Sequence, residues 1–348
     1  MGLTPSVKQQ LLGEARFVRA FCYFYLLNIY GDVPLVLTTD YKVNALLGKT
    51  SMASVYEAVI SDLKEAYSLL SADYLKSDVL SKYTSSTERV RPTKWAAAAL
   101  LSRMYLYTGD YKSAEEYTTV VVDNKSLFGL ISLSDVFKKN SNETIWSLQP
   151  VRTGSEANTG EGALYILPAA GPNSADNPVY LNMDLVNMFE ANDQRKVKWL
   201  DSVVVGAKAY YYPAKYKIGK VSTATAEYIM MMRLAELFLI RAEARVYLNN
   251  LSGAQADINA IRARAGLSNT SATDKETLLA AIMKERQFEL FTEWGNRWFD
   301  LKRTNKIDEA MTVATTKKGG KWAAFQAKYP IPQDEIAKDP NLEQNKDY

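Results

Sequence analysis

Small and apolar side chains recur at helical spacing in three separate segments, at residues 14–30, 95–107 and 228–247. In each segment a tyrosine stands near the end of the predicted helix, and a tight turn and a second amphipathic segment follow. Because small residues let two helices pack closely, this pattern predicts helix pairs like those of tetratricopeptide (TPR) repeats.

Polar residues mark where the predicted helices end and restart. Gly109 is free to adopt the left-handed turn that ends a helix, and Asp110 opens the next one. Ser54, Ser252 and Thr273 each stand three residues before a Glu or Gln, the spacing of a capping box. We therefore expect helices to begin beside these three residues.

Residues 140–219 differ from the helical segments, since they hold five of the 11 prolines and six of the 17 glycines. A strand at 144–148 and a short helix at 184–189 are the regular elements that the pattern favours there. We predict a mostly α-helical, single-domain fold over 1–348, with few short strands. TPR-like pairs fill 1–139, a loop-rich insertion forms a candidate ligand face at 140–219, and 220–348 holds another pair.

Composition excludes several kinds of chemistry. The chain contains no histidine, which excludes Ser-His-Asp catalysis and histidine-ligated zinc. The counts of 42 basic and 39 acidic residues give a net charge of +3 without a basic run, so a nucleic-acid partner is not expected. The lone cysteine, Cys22, is expected to be a small buried residue. We expect no metal and no cofactor.

Two charged clusters are candidates for a functional site or for ion pairing. Glu285, Glu289 and Glu293 fall on one face of a predicted helix, near several basic residues in sequence. Further charged residues occupy the otherwise apolar segment 233–245. Structural ion pairing is the preferred interpretation of both clusters. For the first cluster the alternative is an α-helical glycoside hydrolase, which would need two carboxylates facing each other across a cleft. For the second cluster the alternative is an anion-binding site.

Aromatic residues are abundant, with 22 Tyr and 6 Trp. A flat apolar face with a polar rim suits stacking on a sugar ring, while amides take the hydroxyl groups. In the loop-rich segment the candidate ligand-binding residues are Tyr165, Asn177, Tyr180 and Trp199. Anchoring of the loops is the competing interpretation of these side chains.

Several strings, in order along the chain, resemble the SusD/RagB family of outer-membrane nutrient-binding lipoproteins. They are GEARFVRA (13–20), YGDVPL (30–35), RPTKWAA (91–97), RMYLYTGDY (103–111), MRLAE (232–236), RAEA (241–244), NAIRARAGL (259–267), ER (285–286), RWFDLKR (297–303), YPIP (329–332) and NLEQN (341–345). Each string alone is a weak signal, and the ordered set is specific.

The resemblance implies a non-enzymatic, cell-surface protein that binds oligosaccharides or polysaccharides. Such proteins deliver glycan to a SusC-like TonB-dependent transporter in the outer membrane. Family members normally begin with a lipoprotein signal, an anchor cysteine and a helical segment ahead of the motif at 13–20. We therefore expect the full-length protein to be lipid-anchored at the cell surface, through a segment that this sequence lacks.

The resemblance transfers scaffold motifs and no ligand residues, because the family's binding aromatics lie in variable loops. The four candidate residues above therefore rest on composition. Two other functions stay open, namely peptide capture by a RagB-like member and a TPR-type protein-interaction scaffold without a small ligand. A concave aromatic surface within 140–219 would favour ligand binding over the scaffold.

Overall fold

The computed structural model describes residues 2–84 and 87–348, and the fold over these residues is mostly helical, as predicted. The helices are α1 (Pro5–Tyr30), α2 (Tyr41–Asn44), α3 (Met52–Leu69), α4 (Lys94–Thr108), α5 (Tyr111–Val122), α6 (Gly160–Tyr165), α7 (Met183–Met188), α8 (Gln194–Trp199), α9 (Leu234–Tyr247), α10 (Leu251–Arg264), α11 (Lys275–Glu289), α12 (Asn296–Arg303), α13 (Ile307–Lys317) and α14 (Gln333–Lys338). The strands are β1 (Thr144–Leu148), β2 (Leu200–Val205), β3 (Lys208–Pro213) and β4 (Ile229–Arg233).

Three helix pairs form the frame, as the sequence pattern predicts: α1 packs on α3, α4 on α5, and α9 on α10. Small residues make the close packing possible, because Ala20, Ala66 and Ala114 are fully buried in one core built from α1, α3, α4, α5 and α9 together with β1 and β4. Burial of that core supplies the main favourable free energy of folding.

The turn between α4 and α5 forms as the sequence predicts. Gly109 has φ 79° and ψ 9°, a left-handed conformation, and the backbone N–H groups of Gly109 and Asp110 donate to the last carbonyls of α4. The Asp110 carboxylate then accepts from the Ser113 N–H at 3.1 Å and caps α5.

The other predicted helix starts are displaced by one to three residues. Ser51 caps α3 in place of Ser54, and Asn250 caps α10 in place of Ser252. At α11 the capping box joins Asp274 to Thr277, one residue after the predicted pair. Serine, asparagine and aspartate are all good caps, so neighbouring candidates compete and the local chain geometry selects one of them.

Two antiparallel two-stranded sheets belong to the middle of the chain. β1 covers the predicted strand and pairs with β4, which occupies residues expected to be the start of a helix. β2 and β3 form a hairpin across Gly206, and this hairpin was not predicted. Its strands contain the runs Val203–Val205 and Tyr210–Tyr212, whose β-branched and aromatic residues favour a strand.

Cys22 is exposed, and the expectation that it would be buried is wrong. The buried stripe of α1 contains Phe17, Ala20, Phe24 and Leu27, and residue 22 falls outside it. The apolar neighbours of Cys22 in the sequence therefore do not indicate which face of the helix packs against the core.

Candidate functional site

Tyr165 is the last residue of α6, and a close backbone approach positions that helix. The Thr159 hydroxyl accepts from the Gly162 N–H at 3.0 Å and caps α6. A Cβ on Gly162 would lie 2.2 Å from the carbonyl oxygen of Ile218, so only glycine fits at this contact. The Tyr165 ring is half-buried at the end of the helix, and burial raises the pKa of its hydroxyl.

Asn177 is buried and anchors the end of α6 to the following loop. Its side-chain amide lies 3.0, 2.8 and 3.2 Å from the carbonyl oxygens of Ala163, Leu164 and Ile166, to which it donates. These carbonyls come from the last turn of a helix and the residue after it, and such groups need donors from outside the helix. Asn177 therefore holds the segment that carries Tyr165, and its amide is committed to the protein.

Tyr180 is the most exposed of the four candidates, with 47% of its surface accessible. Its ring packs edge-on against Tyr210 of β3, with centroids 5.0 Å apart and an interplanar angle of 90°. The Lys208 ammonium lies 5.6 Å from the Tyr180 centroid and 4.6 Å from the Tyr210 centroid, within cation–π range of both rings. Tyr180 is thus supported by the hairpin and stays open to solvent.

Tyr180 and Leu181 line two hollows on this face of the protein. The first hollow, of about 270 Å³, is lined also by Leu164, Tyr165, Val179, Pro213 and Thr292. The second, of about 470 Å³, is lined also by Asn182, Met183, Lys208, Ala209, Ala314 and Lys318. The structure therefore brings Tyr165 and Tyr180 together at one surface, which we call the tyrosine face.

Trp199 lies elsewhere, and its placement does not fit the expected contact with a ligand. The side chain is fully buried, its Nε1 donates to the Leu133 carbonyl at 2.8 Å, and Phe137 packs against it edge-on. The Lys215 ammonium lies 4.8 Å from the ring centroid. Trp199 is therefore a core residue, because the packing around α8 encloses its ring. The sequence alone allowed either ligand contact or loop anchoring for this residue.

The acidic stripe of α11 continues beyond the helix and belongs to a buried ion network. Glu289 accepts from Arg195 at 3.2 Å, from Arg233 at 2.6 Å and from Arg264. Burial alone would raise its pKa, and the three guanidinium groups more than offset this and hold that pKa well below its usual range. The ion-pairing interpretation is confirmed, although the partners come from distant elements and not from the neighbouring basic residues.

The charged residues of β4 and α9 are paired in the same way. Arg233 pairs with Glu293, Glu289 and Glu143, and Glu236 pairs with Arg103. Arg241 pairs with Asp257, and Glu243 pairs with Arg303. Arg245 pairs with Glu115 and with Asp257. Neither cluster presents two free carboxylates across a cleft. Both therefore act as internal cross-links between helices.

Sequence reasoning missed part of the tyrosine face. Lys208 and Lys318 were not among the candidates, and 110 positions separate them in the chain. The proximity of Tyr210 to Tyr180 also depends on a hairpin that was not predicted. The turn signal Gly206-Ala207 between a valine run and a tyrosine run could have indicated that hairpin.

The part of the chain that the structure describes holds no group of three or more acidic or cysteine side chains arranged to bind a metal ion. Over the same residues, no helix is both long enough and apolar enough to cross a bilayer.

Comparison with known proteins places this architecture in a family. Residues 201–348 match the model of the SusD family, and residues 4–106 match a SusD-like model described as starch-binding and associating with the outer membrane. SusD-like protein P2 of Formosa agariphila is 26% identical, over 95% of this chain and 72% of the relative.

Solved structures share the fold over the whole chain. A SusD superfamily protein from Parabacteroides distasonis superposes with a TM-score of 0.82 at 22% identity, over 100% of this chain and 80% of that one. A laminarin-binding SusD-like protein superposes with a TM-score of 0.78 at 24% identity, over 100% and 81%. From the two family models, which match residues 4–106 and 201–348, and from the Formosa agariphila relative, the chain belongs to the SusD family.

Proposed function

We propose that this protein binds an oligosaccharide or polysaccharide at the tyrosine face without cleaving it. The observation that carries the proposal is the open hollow between Tyr165 and Tyr180, where an aromatic side chain at the end of α6 and another from the segment before α7 lie beside apolar residues. Aromatic rings of this kind stack on the apolar face of a sugar. An open aromatic hollow in the loop-rich segment supports ligand binding over a pure interaction scaffold.

Polar groups beside the rings suit the hydroxyl groups of a sugar. Thr292 borders the first hollow, and Asn182 and Lys208 border the second. Concave sites with a few placed polar groups among apolar ones are typical of small-ligand binding. Tyr180 lines both hollows, so one chain of sugar units would contact its ring on the way from one hollow to the other.

The chemistry of the lining supports binding without hydrolysis. Glycoside hydrolysis requires a pair of carboxyl groups on either side of the scissile bond. The residues that line the two hollows include no Asp or Glu. We therefore assign the protein a capture role and no catalytic one.

Relatives support the wider setting of this capture role. One matching family model is described as starch-binding and associating with the outer membrane, and one structural neighbour is described as binding laminarin. We propose that the full-length protein is held at the outer-membrane surface by a lipid anchor and passes glycan to a SusC-like TonB-dependent transporter.

Affinity electrophoresis against a panel of soluble polysaccharides tests the proposal. We expect retarded migration in at least one glycan gel, together with no release of reducing ends when that glycan is incubated with the protein. Binding of peptides in place of every glycan would contradict glycan capture, and release of new reducing ends would contradict the non-catalytic role.

A further inference from the structure

We infer that the glycan captured at the tyrosine face is anionic, carrying carboxylate or sulfate groups, an inference that rests on the proposed function. The second hollow is lined by Lys208 and Lys318 and by no acidic side chain. A site for a neutral sugar needs groups that accept hydrogen bonds from the sugar hydroxyls, and carboxylates serve this purpose well. The lining of the second hollow carries positive charge instead.

The two lysines are free of acidic partners. Neither Lys208 nor Lys318 forms a salt bridge with any of the described residues, and two acidic groups close to this face, Asp176 and Asp184, already have other lysines as partners. Asp184 on α7 is bound by Lys317 at 2.6 Å, and Asp176 is bound by Lys220 at 2.5 Å. The charges of Lys208 and Lys318 are therefore available to a ligand.

Contacts with the two tyrosine rings restrict the position of Lys208. Its ammonium lies within cation–π distance of Tyr210 and Tyr180, and both are anchored through the hairpin and the adjoining strand-like segment, where the Leu181 N–H donates to the Tyr211 carbonyl at 2.7 Å. A positioned ammonium beside an aromatic ring suits a sugar that stacks on Tyr180 and directs an acidic substituent toward Lys208.

Lys318 supplies the second charge from another part of the chain. It is exposed and follows the last residue of α13. A cation at a helix C-terminus is favoured by the helix dipole, and this structural role is its competing explanation. The competing explanation does not account for a second unpaired lysine, from β3, on the same hollow.

Other charged groups near the tyrosine face do not reverse this picture. Glu161 lies one turn before Tyr165 on α6 and lines neither hollow, and burial raises the pKa of its carboxyl group, which favours the neutral form. The ion network around Glu289 lies in the core and is internally paired. Among the described residues that line the two hollows, the charged side chains are thus the two lysines.

Matched pairs of oligosaccharides test the inference. Each pair consists of an acidic oligosaccharide and the same chain after carboxyl reduction or desulfation, with oligogalacturonate and a sulfated galactan as starting probes. Malto- and laminari-oligosaccharides serve as neutral references. Binding is measured by titration calorimetry at low salt and at 0.5 M salt, since added salt screens exposed charges.

We expect the acidic member of a bound pair to bind about tenfold more tightly than its neutral counterpart at low salt. Lys208→Gln and Lys318→Gln should each lower that preference about threefold, the effect of losing one exposed ion pair. Lys112→Gln is the matched control, because Lys112 is an exposed lysine on α5 that lines neither hollow. It should leave the preference unchanged.

The outcomes separate the inference from the proposed function. Equal or stronger binding of the neutral members overturns the anionic assignment and leaves glycan capture standing. An unchanged preference for the acidic members in the double Lys208→Gln, Lys318→Gln variant also overturns the inference, because these lysines would then not bind the acidic substituents. Failure of every acidic and neutral glycan to bind refutes the proposed function and the inference together.

Discussion

The side-chain amide of Asn177 donates to the carbonyl oxygen of Leu164 at a distance of 2.8 Å. This bond joins the last turn of α6 to a loop residue 13 positions further along the chain, and Leu164 and the adjacent Tyr165 both line the first hollow. Asn177 does not line either hollow. Its role in the candidate site is that of a positioning residue that acts through α6.

Replacing Asn177 should weaken glycan binding because it displaces Tyr165. Asn177→Asp removes the donor and places a carboxylate against three carbonyl oxygens, so we expect a loss of about 1–3 kcal/mol in the free energy of unfolding. Glycan affinity should fall at least about threefold as Tyr165 moves. Denaturant unfolding and calorimetric titration at a temperature where the variant is folded measure the two effects.

The control for this substitution lies four residues earlier. Asn173 accepts from the N–H groups of Ala175 and Asp176 through its side-chain oxygen, which aspartate retains. Asn173→Asp should therefore leave both stability and affinity nearly unchanged. Equal effects of the two substitutions would contradict the positioning role of Asn177.

Trp199 should affect stability and not glycan binding. Trp199→Phe keeps a buried ring and removes the bond to the Leu133 carbonyl, so we expect the free energy of unfolding to fall by about 1–3 kcal/mol. Affinity for glycan, measured on the folded variant, should match that of the unmodified protein. A large loss of affinity with unchanged stability would restore Trp199 to the binding site.

Glu190 should make the free energy of unfolding depend on pH, with lower stability at low pH. The guanidinium of Arg262 donates to both carboxylate oxygens at 3.0 Å and, with Lys284, lowers the pKa of Glu190 to about 2. Because the folded pKa lies below the ordinary value, the stabilisation is full above about pH 5 and is lost as the pH falls toward 2. Stability should therefore decline through this window.

The Glu190→Gln variant isolates that contribution. The variant should be about 1 kcal/mol less stable at pH 7, since the pair is partly exposed, and the difference should disappear near pH 2. Urea unfolding at pH 7, 5, 3 and 2 measures it. Glu116→Gln, at an exposed glutamate of α5 that forms no salt bridge among the described residues, should show almost no difference at any pH. A constant difference for Glu190→Gln from pH 7 to pH 2 would contradict the pKa assignment.

Local features of the fold were predictable where local chemistry decides them. The turn at Gly109, the cap at Asp110 and the strand at 144–148 each depend on a few neighbouring residues, and the structure contains all three. The helix starts at Ser51 and Asn250 were displaced because several good capping residues lie side by side. Element type was thus easier to predict than element boundary.

Long-range packing decides what the sequence did not reveal. Trp199 and Tyr180 are both aromatic residues in one loop-rich segment, yet Leu133 and Phe137 contact a fully buried Trp199 while Tyr180 keeps 47% of its surface accessible. Similarly, Glu289 pairs with Arg195, which precedes it by 94 residues. Such contacts follow from how the helix pairs assemble, and no periodicity in a single chain encodes them directly.

The most direct test of the central claim is a calorimetric comparison of Tyr180→Ala with Tyr41→Ala, on a glycan that the unmodified protein binds. Tyr41 is 73% exposed and lines neither hollow, so it is a matched surface tyrosine. Glycan capture at the tyrosine face predicts about tenfold weaker binding for Tyr180→Ala, through loss of one stacked ring, and unchanged binding for Tyr41→Ala. Equal affinities of the two variants would contradict it.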